Sequence, residues 1–199
     1  MIRIDDANEL AHYIEYANLD NTATEKDILK FLKRAKTFEF HSVLIMPCYV
    51  KLAKESLKDT NIKVGTVIGF PLGFETTKAK IAETKIALED GADEIEMVIN
   101  PSYVKSENFK AIENEIKEIK NVMGDKILKV IIETKLLNDA EKVEVSKIAE
   151  KSGADYVRTT SGFNGVSTSL ETIHDINLIK KNAPIIKIKA AGGINEYKL

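Results

Sequence analysis

The sequence has little of what several classes of protein require. Cys48 is the single cysteine among 199 residues, so no disulfide can form within the chain. The first residues do not show a charged segment followed by an apolar one, as a secretory signal would. No apolar run approaches the ~18 residues that a membrane span needs. We therefore expect a cytoplasmic protein without a membrane segment.

An excess of charge of one sign is also missing. The chain carries 29 basic and 31 acidic side chains, for a formal net charge of −2. It has no basic run long enough for nucleic acid or an anionic membrane. The three histidines, His12, His41 and His174, lack the spacing of metal ligands, and no cysteine–histidine pair suits nucleophilic catalysis. We expect no metal, no cofactor, no nucleic-acid partner and no membrane partner.

The chain does contain the apolar content of one globular domain. Its hydrophobic fraction is 44% and it has only four prolines, which predicts a single domain over residues 1–199. Short apolar runs alternate with amphipathic stretches, which predicts βαβ crossovers and a parallel sheet. Six runs predict strands, and a weaker one lies near Ala11–Leu19: Ser42–Met46, Ile62–Phe70, Glu94–Asn100, Ile127–Glu133, Asp155–Thr160 and Pro184–Ala190.

Helices are predicted between these strands. The first should begin at Thr22-Ala23-Thr24-Glu25, a capping-box pattern. Its apolar residues Ile28, Phe31, Leu32 and Ala35 have helical spacing. The later helices are expected at Tyr49–Lys58, Thr76–Asp90, Glu107–Met123, Asp139–Ser152 and Ser169–Lys181.

Charged residues on the strands favour a barrel over a doubly wound open sheet. Because side chains alternate along a strand, each of four strands places two polar residues on one face. In a barrel these faces converge near the C-terminal mouth, where such enzymes keep their chemistry, whereas in an open sheet they would be spread out. The four pairs are Glu96 with Asn100, Lys129 with Glu133, Arg158 with Thr160, and Lys187 with Lys189.

Six blocks in order resemble the deoxyribose-phosphate aldolase family, class I aldolases built on a TIM barrel. Members continue beyond the last block, whereas this chain ends at Leu199. The resemblance thus implies an incomplete α/β barrel of parallel (β/α) TIM type, with about seven strands and the eighth βα unit missing. The blocks are Ser42–Ala53, Lys63–Thr77, Gly91–Asn100, Leu128–Leu137, Gly153–Phe163 and Lys187–Ile194.

The family is expected to cleave 2-deoxyribose 5-phosphate to glyceraldehyde 3-phosphate and acetaldehyde through an imine on a strand-six lysine. Here that position is Arg158, and a guanidinium that stays protonated cannot attack a carbonyl. Glu96 stands in place of the family's strand-four aspartate. The early Asp-His-Thr-Leu signature is represented by Glu15-Tyr16-Ala17-Asn18, and a strand-two cysteine falls at Leu44.

The resemblance makes Lys189, Glu96, Arg158 and Lys129 the candidate catalytic residues. Lys189 matches the family's second lysine: with its pKa depressed by Arg158 it could form the imine, or it could simply pair with a carboxylate. Glu96 could act as a general acid or base through water, or form a bidentate ion pair with Arg158. Lys129 balances the charge of Glu96 or Glu133, or takes part in the chemistry.

Four residues match family loops whose backbone N–H groups face the substrate phosphate: Ser161, Gly162, Gly192 and Gly193. Glycine suits such a loop because a Cβ would block the approach of an anion. The same glycines could instead serve only to make tight βα turns. The expected ligand is a small phosphorylated aldehyde or sugar.

Two hypotheses of function follow from these residues. The first is an aldolase or a related carbonyl-chemistry enzyme that uses Lys189. The second is a catalytically retired homologue that binds a phosphorylated metabolite or a protein partner. An open barrel edge would leave backbone groups unpaired beside the first and last strands. We therefore expect a homo-oligomer.

Overall fold

The computed structural model describes residues 7–165, 167–192 and 194. In this part of the chain the helices are α1 (Ala7–Ala11), α2 (Glu25–Phe38), α3 (Val50–Ser56), α4 (Thr77–Glu89), α5 (Pro101–Lys105), α6 (Phe109–Met123), α7 (Asp139–Lys151) and α8 (Ser169–Asn182). The strands are β1 (Glu15–Asn18), β2 (Ser42–Ile45), β3 (Lys63–Ile68), β4 (Glu94–Val98), β5 (Ile127–Ile131), β6 (Tyr156–Arg158) and β7 (Lys187–Lys189). Short 3₁₀ turns occupy Pro47–Tyr49 and Thr134–Leu136.

The described residues fall into two compact units. The first comprises 7–67 and 86–94, and the second comprises 68–85 together with the described residues from 95 onward. Strands follow chain order within each unit: β1, β2 and β3 in the first, and β4 to β7 in the second. The prediction of one domain over 1–199 stays a prediction.

The first unit is built on parallel pairing of β1 with β2 and of β2 with β3. Asp93 links segment 86–94 of this unit to α3 and β3. Its carboxylate accepts hydrogen bonds from Lys54 Nζ at 2.7 Å and from the Val64 N–H at 3.0 Å. Tyr16 stacks on Phe31 of α2, with ring centroids 4.3 Å apart. These contacts tie α2 and α3 to the same three strands.

In the second unit, β5 pairs in parallel with β6, and β6 with β7. Its apolar core is completely buried and comes from both strands and helices: Met97, Val98, Ile112, Ile116, Ile119, Leu128, Val130, Val145, Ala149, Val157 and Ile179. The core fixes strands β4 to β7, and these strands carry the charged residues singled out from the sequence.

All seven predicted strands are present, and each is shorter than predicted by one to several residues. The predicted start of α2 is wrong. Thr24, not Thr22, is the N-cap, and its reciprocal partner is Asp27, because the Thr24 side chain accepts from the Asp27 N–H while the Asp27 carboxylate accepts from the Thr24 N–H. The Thr22 hydroxyl instead donates to Asp20 at 2.7 Å. The helices α1 and α5 were not among the predicted elements.

No helix of the described residues combines the length and apolar character of a membrane span. The cytoplasmic location stays a prediction.

Candidate active site

The strand register of the second unit brings the predicted residues together in two rows. One row runs from Ile131 on β5 through Arg158 on β6 to Lys189 on β7. The other runs from Lys129 through Tyr156 to Lys187. Because residues two apart on a strand share a face, both rows lie on the same face of the sheet. The predicted pair of Lys187 and Lys189 on one face is confirmed for β7. Glu133 and Thr160 lie beyond the ends of β5 and β6, so the strand register does not test their pairing with Lys129 and Arg158.

Glu96 of β4 lies at the centre of the charged cluster and is completely buried. Its Oε2 accepts a hydrogen bond from Nη1 of Arg158. Its Oε1 accepts one from Lys189 Nζ at 2.7 Å and lies 3.5 Å from Lys129 Nζ. One carboxylate therefore faces three cationic side chains. Of the two alternatives for Glu96, the ion pair with Arg158 is present, but it is not bidentate, since Lys189 takes the second oxygen.

Arg158 is fixed on its other sides by backbone carbonyls. Its Nε donates to the Thr160 carbonyl at 2.8 Å and its Nη2 donates to the Ser161 carbonyl at 3.2 Å. The planar guanidinium thus joins the turn after β6 to Glu96. The three contacts use three different nitrogen atoms in one plane. A lysine at this position has a single nitrogen and could not reproduce that arrangement.

Lys189 is largely shielded from water, with 16% of its side chain exposed. Burial lowers the pKa of its amine from 10.5 to about 7, while the Glu96 carboxylate at 2.7 Å acts in the opposite direction. The sequence pointed to a depressed pKa through repulsion by Arg158. The structure assigns the depression to loss of water. An amine with this pKa is partly neutral at pH 7, and only the neutral form attacks a carbonyl.

Glu133, two residues after β5, binds the turn that follows β6. Its carboxylate accepts hydrogen bonds from the hydroxyls of Thr160 and Ser161 and from the Ser161 N–H at 3.2 Å. The sequence placed Glu133 beside Lys129 as a possible charge partner but did not assign it to the turn. Nothing in its own segment marks that role, since it depends on the approach of β6.

The loop after β7 is attached to β6 by Thr159. The Thr159 hydroxyl donates to the Ala191 carbonyl at 3.2 Å and accepts from the Ala191 N–H at 3.1 Å. Gly192 has φ +90°, and a Cβ there would lie 2.6 Å from Cγ2 of Thr160. Glycine is needed here both for its backbone angle and for close packing on the neighbouring turn.

The predicted phosphate-binding residues lie on these two loops. The Ser161 N–H donates to Glu133, and the Gly162 N–H donates to the Thr160 hydroxyl at 3.0 Å. A phosphate would have to compete with these acceptors. Gly193 lies outside the described residues. The assignment of the four positions to phosphate stays a prediction.

The sequence predicts that Lys187 lies on the same strand face as Lys189. Lys187 is exposed, and its ammonium lies 5.3 Å from the centroid of the Tyr156 ring. Lys129 approaches the same ring, with its Nζ 5.5 Å from the centroid. Tyr156 therefore separates the two lysines and interacts with both through its ring.

Sequence reasoning missed a buried ion pair in the same unit. Lys80 of α4 has no exposed surface, and its Nζ donates to the carbonyls of Gly73 and Val98, both at 2.8 Å, and to Glu115 at 3.0 Å. Three donors thus meet three acceptors. The sequence did contain a signal for its burial, because Lys80 has helical spacing with Thr84 and Ala87, which are both buried.

One group in the described residues offers metal-ligand atoms close together, namely Asp139, His174 and Asp175, all within 4.8 Å of one another. Lys142 lies among them, with its Nζ 2.7 Å from Asp175 and 3.3 Å from Asp139. His174 bonds to Asp139 at 2.8 Å. Because the Lys142 ammonium already pairs with both carboxylates, we assign no metal to this group.

Comparison with known proteins places these features in a family. The model of the DeoC/LacD family aldolases matches residues 11–199. The chain belongs to this family. The deoxyribose-phosphate aldolase of Clostridium botulinum (strain Langeland / NCTC 10281 / Type F) is 48% identical over 188 residues, which cover 94% of this chain and 87% of that protein.

Two solved structures of aldolases carry the same fold. QR15, an aldolase, superimposes with a TM-score of 0.87 at 38% identity, over 93% of this chain and 82% of QR15. The tetrameric deoxyribose phosphate aldolase from Aeropyrum pernix gives a TM-score of 0.85 at 26% identity, over 96% of this chain and 81% of that one. These likenesses confirm the predicted α/β class and the parallel (β/α) TIM-barrel fold, and seven of its strands lie in the described residues.

Proposed function

We propose that this chain is a class I aldolase that cleaves or forms a carbon–carbon bond in a phosphorylated sugar, with Lys189 as the Schiff-base amine. The observation that carries the proposal is the amine of Lys189, which is buried, has a pKa of about 7 and lies 2.7 Å from a carboxylate. The relatives named deoxyribose-phosphate aldolase support 2-deoxyribose 5-phosphate as the substrate.

The chemistry assigns a separate task to each member of the cluster. Neutral Lys189 attacks the aldehyde carbon and, as water leaves, forms the protonated imine. Glu96 Oε1 accepts the proton that the amine releases and returns it to the departing hydroxyl. In the cleavage direction a base removes the proton of the β-hydroxyl, and the imine accepts the electron pair of the breaking carbon–carbon bond as glyceraldehyde 3-phosphate leaves. The enamine that remains takes up a proton on carbon. Water then hydrolyses the imine, which releases acetaldehyde and restores the Lys189 amine.

Arg158 and Lys129 support this chemistry through charge. Arg158 holds Oε2 of Glu96 and leaves Oε1 directed at Lys189. Lys129, with its Nζ 3.5 Å from Oε1, places a second positive charge beside the carboxylate. The excess of cations also suits a substrate with a phosphate, which Ser161, Gly162, Gly192 and Gly193 would bind.

Turnover of 2-deoxyribose 5-phosphate tests the proposal, with glyceraldehyde 3-phosphate measured by a coupled reduction. Lys189→Arg keeps a positive charge but removes the nucleophile, so activity should be lost. Lys187→Arg, on the same strand but exposed, is the matched control and should retain it. Equal activity of the wild type and Lys189→Arg would contradict the assignment.

One observation favours the second candidate, a homologue that binds a phosphorylated metabolite without turnover. Arg158 occupies the position of the family's Schiff-base lysine, and Glu96 is already paired with cations. Calorimetric binding of 2-deoxyribose 5-phosphate with no detectable product would support this candidate.

We also propose that the chain forms a homo-oligomer. Support comes from the tetrameric aldolase of Aeropyrum pernix, whose fold it shares. Light scattering at micromolar concentration should give a mass above that of one 22.2 kDa chain. A monodisperse monomer would exclude the assembly.

A further inference from the structure

A single peptide group connects Glu133 with Arg158. The N–H of the Thr160–Ser161 amide points to the Glu133 carboxylate, at 3.3 Å from Oε1 and 3.2 Å from Oε2. The carbonyl of the same amide accepts a hydrogen bond from Arg158 Nε at 2.8 Å. The positive end of the peptide dipole therefore faces an anion, and its negative end faces a cation.

Glu133 is a buried carboxylate, and no cation in the described part of the chain forms a salt bridge with it. It is 1% exposed, and among the described residues its hydrogen bonds come only from Thr160 and Ser161, through two hydroxyls and one N–H. A buried charge of this kind needs compensation. The guanidinium of Arg158 provides it from the far side of the amide.

The backbone of Glu133 indicates that its position is held against local preference. Its φ is 56° and its ψ is 65°, in the left-handed region that residues other than glycine, asparagine and aspartate rarely adopt. The Thr134 N–H, next in the chain, donates to the Thr159 carbonyl at 2.9 Å. The strained turn after β5 and the turn after β6 are thus joined by backbone and side chain together.

We propose that Glu133 is a positioning residue that fixes Arg158 against Glu96 through the Thr160–Ser161 amide, and so limits how tightly Glu96 holds the Lys189 amine. The chain of contacts is continuous, from Glu133 through the amide to Arg158, and from Arg158 Nη1 through Glu96 to Lys189. A part in catalysis rests on the proposed function. The effect on the amine does not.

The direction of the effect follows from the shared carboxylate. When Arg158 is held in place, its Nη1 donates a hydrogen bond to Oε2 of Glu96, so Arg158 and Lys189 share the negative charge of one carboxylate. If the turn loosens, Glu96 loses this donor and pairs more strongly with Lys189. The ammonium form of Lys189 is then stabilised and the amine becomes less reactive at neutral pH.

Glu133→Asp is the informative variant because it keeps the charge but shortens the side chain by one methylene. Lys189 is labelled with trace acetic anhydride across pH 5 to 10, and its acetylated peptide is quantified by mass spectrometry. We expect the midpoint of labelling to rise by about one pH unit, which lowers the neutral fraction at pH 7 roughly five-fold. An unchanged or lowered midpoint in a folded variant would overturn the proposal.

Thr160→Val provides a second route that leaves Glu133 intact. Valine has the shape of threonine, so the packing of its methyl group on Gly192 is kept while the hydroxyl donor to Glu133 is lost. The midpoint should rise as in Glu133→Asp, and this variant decides the matter if Glu133→Asp does not fold. Glu115→Asp makes the same change at another buried carboxylate and should leave the midpoint where it is.

Acetylation separates this proposal from the proposed function because it needs no substrate. If the wild type forms no imine but both variants raise the midpoint, the aldolase assignment fails and the positioning role stands. If Lys189 forms an imine and neither variant moves the midpoint, the aldolase assignment stands and the role of Glu133 is wrong.

Discussion

Lys189 donates a hydrogen bond to Oε1 of Glu96 over 2.7 Å, and the pair lies almost out of reach of water. Two opposing effects meet in this contact. Burial favours the neutral amine, whereas the carboxylate favours the ammonium ion. The outcome, a pKa of about 7, is what imine chemistry at neutral pH requires.

The first prediction concerns the pH dependence of imine formation. Because the reactive form of Lys189 is neutral, the rate should rise as pH increases through about 7 and then level off. At each pH the protein is mixed with acetaldehyde, the imine is reduced with borohydride after fixed times, and the rate is taken from the amount of trapped adduct. A midpoint near 10.5, the ordinary value for lysine, would show that burial does not control the amine.

The second prediction concerns the stability of the cluster. Glu96→Gln removes the carboxylate that Arg158, Lys129 and Lys189 share. Loss of one partner from a buried ion pair leaves uncompensated charge, so the free energy of unfolding should fall by about 3–5 kcal/mol. Urea denaturation measures the change. Glu55→Gln, which breaks the exposed pair with Lys58, is the control and should have little effect.

The site shows what the sequence could and could not predict. Alternation along each strand predicts which residues of that strand share a face. The predicted barrel then places Arg158, Lys129 and Lys189 on the same side of the sheet. It could not show that Lys189 takes one oxygen of Glu96 and prevents a bidentate pair with Arg158, since that depends on how three strands approach one another. The contacts of Glu133 with the turn after β6 could not be predicted either, since they depend on how closely that turn approaches β5.

The existence of the strands was easier to predict from the sequence than the residues at which strands and helices begin and end. Apolar runs such as Ser42–Met46 and Ile127–Glu133 identified strands because buried parallel strands are apolar on both faces. The end of each strand was less certain, since polar site residues such as Asn100 continue the pattern beyond the last sheet residue. At the start of α2 two threonines fit the capping pattern, and only the backbone angles at Thr24 decide between them.

The third prediction compares two glycines with nearly the same backbone angle. Gly192 has φ +90° and Gly162 has φ +89°. An added Cβ would lie 2.6 Å from Thr160 at Gly192 and would meet nothing within 4 Å at Gly162. Alanine at either site introduces backbone strain of about 1–3 kcal/mol, and only Gly192→Ala adds a clash. Thermal denaturation should show a larger loss of stability for Gly192→Ala, and equal losses would argue against close packing of the two loops.

The fourth prediction concerns Glu115, the buried partner of Lys80. Burial raises the pKa of the Glu115 carboxyl above 4.5, although Lys80 acts in the opposite direction. The folded protein then binds this proton more tightly than the unfolded chain does. Stability contributed by this group is therefore greatest at low pH and falls as pH rises from 4.5 through the folded pKa.

Glu115→Gln lacks this titration, so the stability of the wild type minus that of the variant should decrease as pH rises above 4.5. The difference is obtained from urea denaturation of both proteins at matched pH values. If the difference increases instead, the ion pair with Lys80 outweighs burial and lowers the carboxyl pKa.

The central claim is that Lys189 forms the Schiff base although the family's lysine position holds Arg158. Sodium borohydride trapping with acetaldehyde, and separately with 2-deoxyribose 5-phosphate, tests it by intact mass and peptide mapping, with Arg158→Lys alongside. We predict a stable adduct on Lys189 in the unmodified protein. No adduct in the unmodified protein, with one at position 158 in the variant, would contradict the claim and identify a pocket that has lost its nucleophile.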